Sequence, residues 1–381
     1  MRAILLLVLV AGQEPEKPAY KTSYRVINVH HHWDAPKPEA VAAQVDVMDR
    51  AGMAVAVNLD GGRSDGQLPA WSELQKKYPD RFVNFLTITK KHLDRLAEPG
   101  FFEDLPREVE RAAKLGVRGV KVWKDLGMMI REGEKVLRID DPRFDPFWAK
   151  CGELGLPVFI HTADPKEYWH PLTYNSLHYG SRTEEQRYDK IPGMPSWEDL
   201  IAQRDAVVGK HPKTTFIGAH FGSMTFELQG LAERLDRYPN FHVECAARLR
   251  ILGRLPPKAV RDFFVKYQDR IMFGTDGSVL LAGRKSGPGP KNLLVYPLED
   301  PDYIRIDPAD EAVVAKWKDR QVRFYAGHFE YFETDRPGLV EPGGFGADWL
   351  RIAGVKLPPD VLEKFYHANA ERLIPGLAPK K

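Results

Sequence analysis

From Arg25 to Leu373 the chain repeats one pattern eight times, a short run rich in Val, Ile and Phe followed by a segment with apolar residues at helical spacing. The runs are Arg25–Val29, Met53–Leu59, Arg81–Thr87, Val117–Trp123, Pro157–Thr162, Thr214–Ala219, Phe241–Ala246 and Ile271–Gly274. Short, nearly continuous apolar runs suit parallel strands that are covered on both faces. Among the helical stripes, Val41, Val45 and Met48 stop at Gly52, and Phe147, Cys151 and Leu154 lie between Asp145-Pro146 and Gly155. Leu228, Leu231 and Leu235 follow a Ser223 cap, and Val260, Phe263, Phe264 and Tyr267 follow Pro256-Pro257. Weaker stripes run through Trp71 and Leu74, through Leu105, Val109 and Ala112, and through Trp197 and Ile201 behind Ser196. The eighth helix is expected over Pro359–Leu373, with Val361, Phe365 and Ala368 on one face. Eight such units in about 350 residues fit an α/β fold of the (β/α)8, TIM-barrel type, whose chains run from roughly 200 to more than 400 residues. An open doubly wound sheet is the second choice of fold.

With 43% hydrophobic residues the chain can bury a large core without staples. A formal net charge of +2 gives no global field for nucleic acid or an anionic membrane. Cys151 and Cys245 lie far apart with no zinc-ribbon spacing, so both read as small buried apolar groups. Residues 1–12, with Arg2 ahead of the apolar run Ala3 to Ala11, have the pattern of a short secretory signal peptide. That implies export to a periplasm or the exterior; without it the protein is cytoplasmic. Residues 13–24 then form a tether, 25–374 a single barrel domain and 375–381 a tail, and no later stretch is apolar enough for a transmembrane helix. Two connections, 163–195 after the fifth strand and 278–357 after the eighth, are too long for plain loops. Both follow the C-terminal end of a strand, where barrel enzymes build their sites, so they are read as lids or substrate walls. The first holds Tyr168, Trp169, His170, Tyr174, His178 and Tyr179, which either pack on one another or touch substrate.

Histidines and one aspartate fall at the ends of four strands. His30 and His32 leave the first strand on one face of the extended chain, with His31 pointing elsewhere. His161 ends the fifth strand, His220 the sixth and Asp276 the eighth, so a closed barrel places all five side chains on one rim. Neutral imidazoles with one carboxylate and an open position are what a catalytic zinc-like ion requires. Glu244, near the end of the seventh strand, is expected to pair with Arg248 or with a histidine behind the ligands. Arg63, Trp123, Lys124, Asp164, Arg248 and Arg250 follow strand ends and are the candidates to touch substrate, the arginines through their fork of donors. Trp33 is either core or a platform for substrate.

These motifs resemble the amidohydrolase superfamily, and within it the amidohydrolase-2 branch with its aminocarboxymuconate-semialdehyde decarboxylase-like enzymes. The likeness rests on His30-x-His32, on His161, on Gly218-Ala219-His220-Phe221-Gly222, on Phe273-Gly274-Thr275-Asp276 and on the closing helix Asp360 to Leu373. It covers about residues 25–280 and 357–374. The resemblance implies that His30, His32, His161 and Asp276 hold one divalent ion, zinc first and manganese second, with His220 beside it. One departure is Asn28, where the family commonly has an acid; it is expected to orient His30 by accepting a hydrogen bond. Lys121, at the end of the fourth strand, matches the lysine that is carboxylated in two-metal relatives, but equally an ordinary lysine of the one-metal branch.

Two reactions fit this set. In hydrolysis, metal-bound water attacks the carbonyl of an ester, lactone or amide in a small, carboxylated substrate, with Asp276 moving the proton and His220 stabilising the oxyanion. In non-oxidative decarboxylation, the same ion orients an unsaturated or aromatic acid and Asp276 or His220 delivers a proton. A barrel that binds metal or ligand without turnover is a third reading. The expected partners are a small-molecule substrate and a second copy of the chain in a homodimer, with no nucleic acid and no membrane after processing.

Overall fold

A computed structural model describes residues 19–33, 35–88, 93, 95–173, 176, 183–279, 311–342 and 350–379. The first strand is Ile27–Trp33, the second Val55–Asn58, the fourth Val120–Val122, the fifth Val158–Ile160, the sixth Phe216–Gly218 and the seventh Phe241–Glu244. The third and eighth are each broken in two, into Phe82–Asn84 with Leu86–Ile88 and Ile271–Met272 with Gly277–Val279. All neighbours pair in parallel.

The two breaks let the ring of strands turn its corners. The first half of the third strand pairs with the second strand and its other half with the fourth, while Phe85 N donates to Asn58 O (3.0 Å) and Leu86 N to Gly119 O (3.0 Å). Gly119 is required there, because a Cβ would run into the Phe85 ring. The eighth strand joins the seventh through Ile271–Met272 and the first through Gly277–Val279. Between these halves Val29 N donates to Phe273 O (2.9 Å) and Asp276 N to His30 O (3.0 Å), so strand eight meets strand one in a (β/α)8 barrel.

The barrel has two apolar layers. Ile27, Val29, Val55, Val57, Phe85, Phe159, Ile217 and Met272 fill its interior, taken from alternate positions of the strands. A larger layer joins the outer strand faces to the helices, and Trp33 belongs to it, with its ring centroid 5.9 Å from Trp71 and 5.4 Å from Phe82.

The helices follow the apolar stripes with instructive differences. Helix Pro38–Ala51 ends at Gly52 in the left-handed region (φ 79°), but Val47 is buried in it while Val45 is only half-buried. Helix Trp197–Lys210 is capped by the Ser196 side chain, which accepts from Asp199 N at 3.0 Å. Ser223 caps nothing of that kind: it sits at φ 61°, five residues before helix Leu228–Arg237 begins, and ends the turn that carries His220. Leu154 lies past the end of helix Asp145–Glu153 and is exposed. The closing helix runs Pro359–Glu363, a π-turn Lys364–Ala368, then Asn369–Leu373. The π-turn adds a residue, so the buried face shifts from Ala368 to Asn369 and Ala370.

Of the two long connections, the first makes short 3-10 turns at Lys166–Trp169, Glu184–Gln186 and Tyr188–Lys190, with Trp169 and Tyr168 stacked edge-on against Tyr188. The second holds helix Glu311–Glu333, which packs against Pro38–Ala51, and the antiparallel pair Leu339–Val340 and Arg351–Ile352. Tyr174, His178, Tyr179, residues 1–18 and residues 280–310 lie outside the described residues. Among the described residues no helix is long and apolar enough to cross a membrane.

Candidate metal centre

The rim residues converge. His30 Nε2 and His32 Nε2 lie 3.1 Å apart, and each is 3.2 Å from Asp276 Oδ1. One ligand atom from each of His30, His220 and Asp276 also fits within 4.8 Å of the others. His161 stands behind His220, ring centroids 4.5 Å apart, and its Nε2 is buried without a hydrogen-bond partner among the described residues.

Carboxylates behind the imidazoles set their tautomers. His30 Nδ1 lies 3.0 Å from Glu244 Oε1, and His32 Nδ1 2.9 Å from Asp60 Oδ2. With Nδ1–H donated backward, each Nε2 turns a lone pair to the centre. His220 is held alike, its Nδ1 2.9 Å from Ala246 O. Two lone pairs and a carboxylate oxygen at about van der Waals contact repel one another unless a proton or a metal ion lies between them. In the bare protein that proton is on His32: burial pushes its pKa down, but Asp60 and Asp276 outweigh burial and lift it to about 9. Burial, joined by neighbouring His220 and Lys121, holds His161 well below the ordinary histidine value, and burial with Arg248 does the same for His220. Both are neutral, as ligands must be. Burial would raise Asp276, but the facing imidazoles hold it well below the usual carboxylate range. The donor set therefore fits a divalent cation.

The backbone is bent to make this set. His220 (φ 57°) and Asp276 (φ 62°) are in the left-handed region, as is Ala247 (φ 54°), each at a cost of about 1–3 kcal/mol. Glu244 offsets the cost, accepting from His220 N at 2.6 Å and from Ala246 N at 2.5 Å while it also holds His30. Gly274 makes room for it, since a Cβ there would strike the Glu244 carboxylate and lie 3.0 Å from His30 Cβ. Within Phe273-Gly274-Thr275-Asp276, then, Phe273 is core, Gly274 admits Glu244, and Thr275 donates its N–H to Asn28 (3.1 Å) ahead of Asp276.

The supporting residues divide differently from the sequence expectation. Asn28 accepts from the backbone N–H of His30 (3.2 Å) and donates to Thr275 Oγ1 (2.8 Å), while the imidazole itself is held by Glu244. The acid that holds the His30 ring therefore comes from the seventh strand. Glu244 pairs with this histidine, and Arg248 instead donates to Ala247 O at 2.9 Å. Asp60 was not singled out by the sequence, although an acid just past the second strand was the available signal.

Lys121 is fully buried, its Nζ 4.7 Å from the Phe159 ring centroid and 5.3 Å from that of Trp123, with no hydrogen-bond partner among the described residues. Burial pushes it down to about 8, against the pull of Asp276, Glu244 and Asp60. Trp123 tilts over His32, centroids 5.1 Å apart. Lys124 holds Asp164 at 2.6 Å, Tyr188 donates to the same carboxylate, and so the connection after the fifth strand is tied to the rim. Arg250 is buried with its Nε 3.8 Å from Glu341. Arg63 forks onto Asp65 (2.7 and 3.0 Å) and lines a hollow of ≈ 470 Å³ with Ser64, Arg95, Asp104 and Arg111, apart from the histidines.

The amidohydrolase-2 family profile, described as amidohydrolase, matches residues 27–376. The chain belongs to this amidohydrolase family. Solved structures that the chain matches include a probable 2-pyrone-4,6-dicarboxylic acid hydrolase of Acinetobacter baumannii with citric acid bound, 12% identical, covering 77% of this chain and 92% of that one at TM-score 0.39. An amidohydrolase of Burkholderia multivorans with bound zinc is 9% identical and covers 92% of this chain and 98% of that one at TM-score 0.42. One of Mycobacterium avium subsp. paratuberculosis is 14% identical, over 67% of this chain and 90% of that one, at TM-score 0.40.

Proposed function

We propose that this amidohydrolase is a metal-dependent hydrolase of an ester, lactone or amide in a small carboxylated substrate. The observation that carries the reading is the meeting of His30 Nε2, His32 Nε2 and Asp276 Oδ1 at 3.1–3.2 Å, with both imidazoles backed by carboxylates. His30, His32, His161 and Asp276 would hold one ion, zinc before manganese. When bound, such an ion supplies Lewis acidity and a water acidic enough to act near pH 7. Asp276, ionised, takes the proton of the attacking water and returns it to the leaving group. His220, neutral with its Nδ1–H given to Ala246 O, turns an Nε2 lone pair to the centre and so serves as a proton acceptor for water or substrate, not as the oxyanion donor the sequence suggested. Lys124 and Arg248 offer cations to a substrate carboxylate, Asp164 sets the position of Lys124, and the Trp123 ring supplies a flat apolar wall.

Charge supports a single ion. Asp60, Glu244 and Asp276 are balanced by one Lys121 ammonium and one divalent cation; a carboxylated Lys121 would call for two. Elemental analysis of protein purified without chelator, with zinc, manganese and bicarbonate supplied, tests this. About one ion per chain, lost in His30→Ala, is expected; none would sink the reading, and two would make Lys121 a carboxylated bridge. Decarboxylation of an unsaturated or aromatic acid uses the same residues, so a screen of esters, lactones, amides and aromatic acids decides the reaction. The leader-like residues 1–12 favour an extracellular substrate of the first kind.

A further inference from the structure

The connection after the eighth strand sends one side chain to the back of the metal centre. Helix Glu311–Glu333 is fastened to helix Pro38–Ala51 by Arg50 with Asp319 and by Lys318 with Asp46 (3.1 Å). From this helix Tyr325 is fully buried, and its hydroxyl accepts from Gln44 Nε2 at 3.1 Å and stands beside the side chain of Thr275, which Asn28 Nδ2 holds in turn at 2.8 Å. Those two residues tie the ligand-bearing strands together: Asn28 Oδ1 accepts from His30 N and from Thr275 N, and Asn28 Nδ2 donates to Thr275 Oγ1. His30 and Asp276 follow directly on this knot. Gly277 closes it, since a Cβ there would meet Tyr325 OH at 3.2 Å, and His31 Nδ1 and Thr275 Oγ1 at 3.3 Å.

We infer that Tyr325 is a positioning residue, which sets the spacing of His30 and Asp276 through Asn28 and Thr275 and so makes the second long connection part of the metal centre rather than a wall outside it. The physical reason is that Asn28 joins the two strands through neutral hydrogen bonds alone. An amide that must hold two backbone N–H groups with one oxygen has to be fixed at its other end, and Thr275 with Tyr325 fixes it. The inference rests on the metal-centre reading for its consequence but not for its geometry, so the test reads both.

The variants are Tyr325→Phe and Gln44→Met, with Tyr331→Phe as control, because the Tyr331 hydroxyl on the same helix is buried with no hydrogen-bond partner among the described residues. Histidine-selective ¹⁵N–¹H spectra of the metal-free full chain, with His30 assigned by His30→Asn, should show the His30 ring resonances moved in Tyr325→Phe and Gln44→Met and unmoved in Tyr331→Phe. Competition with a chromophoric chelator should show zinc held roughly 10-fold more weakly by Tyr325→Phe, the lower end of what partners behind ligands are worth. Unmoved His30 resonances, or equal shifts in the control, overturn the inference whatever the metal content. Should Tyr325→Phe not fold, Gln44→Met alone decides by the same resonances. A wild-type chain that binds no zinc, with the resonances moved as expected, defeats the hydrolase reading and leaves the positioning role standing.

Discussion

Two charged regions of the molecule are built on opposite plans. In the hollow beside the second strand the three arginines each have their own acid, Arg63 on Asp65, Arg95 on Glu98 and Arg111 on Asp104 and Glu108, and Lys114 stands at its edge. At the strand ends, carboxylates and imidazole lone pairs are brought together with too little positive charge to hold them. Arg111 is half in solvent, where an ion pair is worth about 0–1 kcal/mol, whereas Glu244 and His30 are shut away from water, where loss of a partner costs several. The first plan pairs its arginines within itself. The second leaves its facing donors to be shared by a proton or a cation, which is why the smaller and drier cluster is the one proposed to bind metal.

The comparison can be broken at its strongest point first. Asp276→Asn should abolish the bound ion, with an affinity loss beyond the roughly 100-fold that partners behind ligands are worth, and activity should vanish with it. A variant that keeps a full complement of metal by elemental analysis would show that the rim does not bind as described. Next in size, Glu244→Gln should weaken zinc by about 10–100-fold in chelator competition, because it loosens the His30 ring and the backbone N–H groups of His220 and Ala246 together. Gly274→Ala should do the same by pushing on that carboxylate, and unchanged binding in both would remove Glu244 from the account.

A third test uses pH on the metal-free chain. Burial lowers His31 and His242 to about 3 and His328 to about 4, from an ordinary 6.5. Below 6.5 the unfolded chain takes up protons that these buried rings refuse, so stability is complete above 6.5 and is lost as the pH falls toward 4. His32 works the other way, its share being complete below 6.5 and lost as the pH rises through about 9. Melting temperatures should therefore fall on acidification, and His242→Phe should flatten that fall; a slope unchanged by His242→Phe would assign it elsewhere. The smallest effect is expected in the hollow. Arg63→Ala should leave kcat/KM within about two-fold and stability within about 1 kcal/mol, and a large rise in KM would bring that arginine into the substrate site after all.

The repeating strand and helix pattern was enough to give the barrel, because eight apolar runs with helical crossovers leave few ways to bury both faces of every strand. It was also enough to nominate His30, His32, His161, His220 and Asp276, since a parallel barrel places every strand's C-terminal end on one rim. It could not show the break at Phe85, the π-turn in the closing helix or the turn at Ser223, because none of these changes the local apolar spacing until partner strands and helices are in place. Nor could it show that Glu244 rather than Asn28 orients the His30 ring, that Asp60 backs His32, or that Tyr325 comes beside Thr275 from a helix some 50 residues on. Spacing along one strand fixes which face a side chain takes, and that much the sequence determined. Which side chain meets it from another strand depends on the tilt of the barrel and on how the inserted helix packs, and only the tertiary structure decided that.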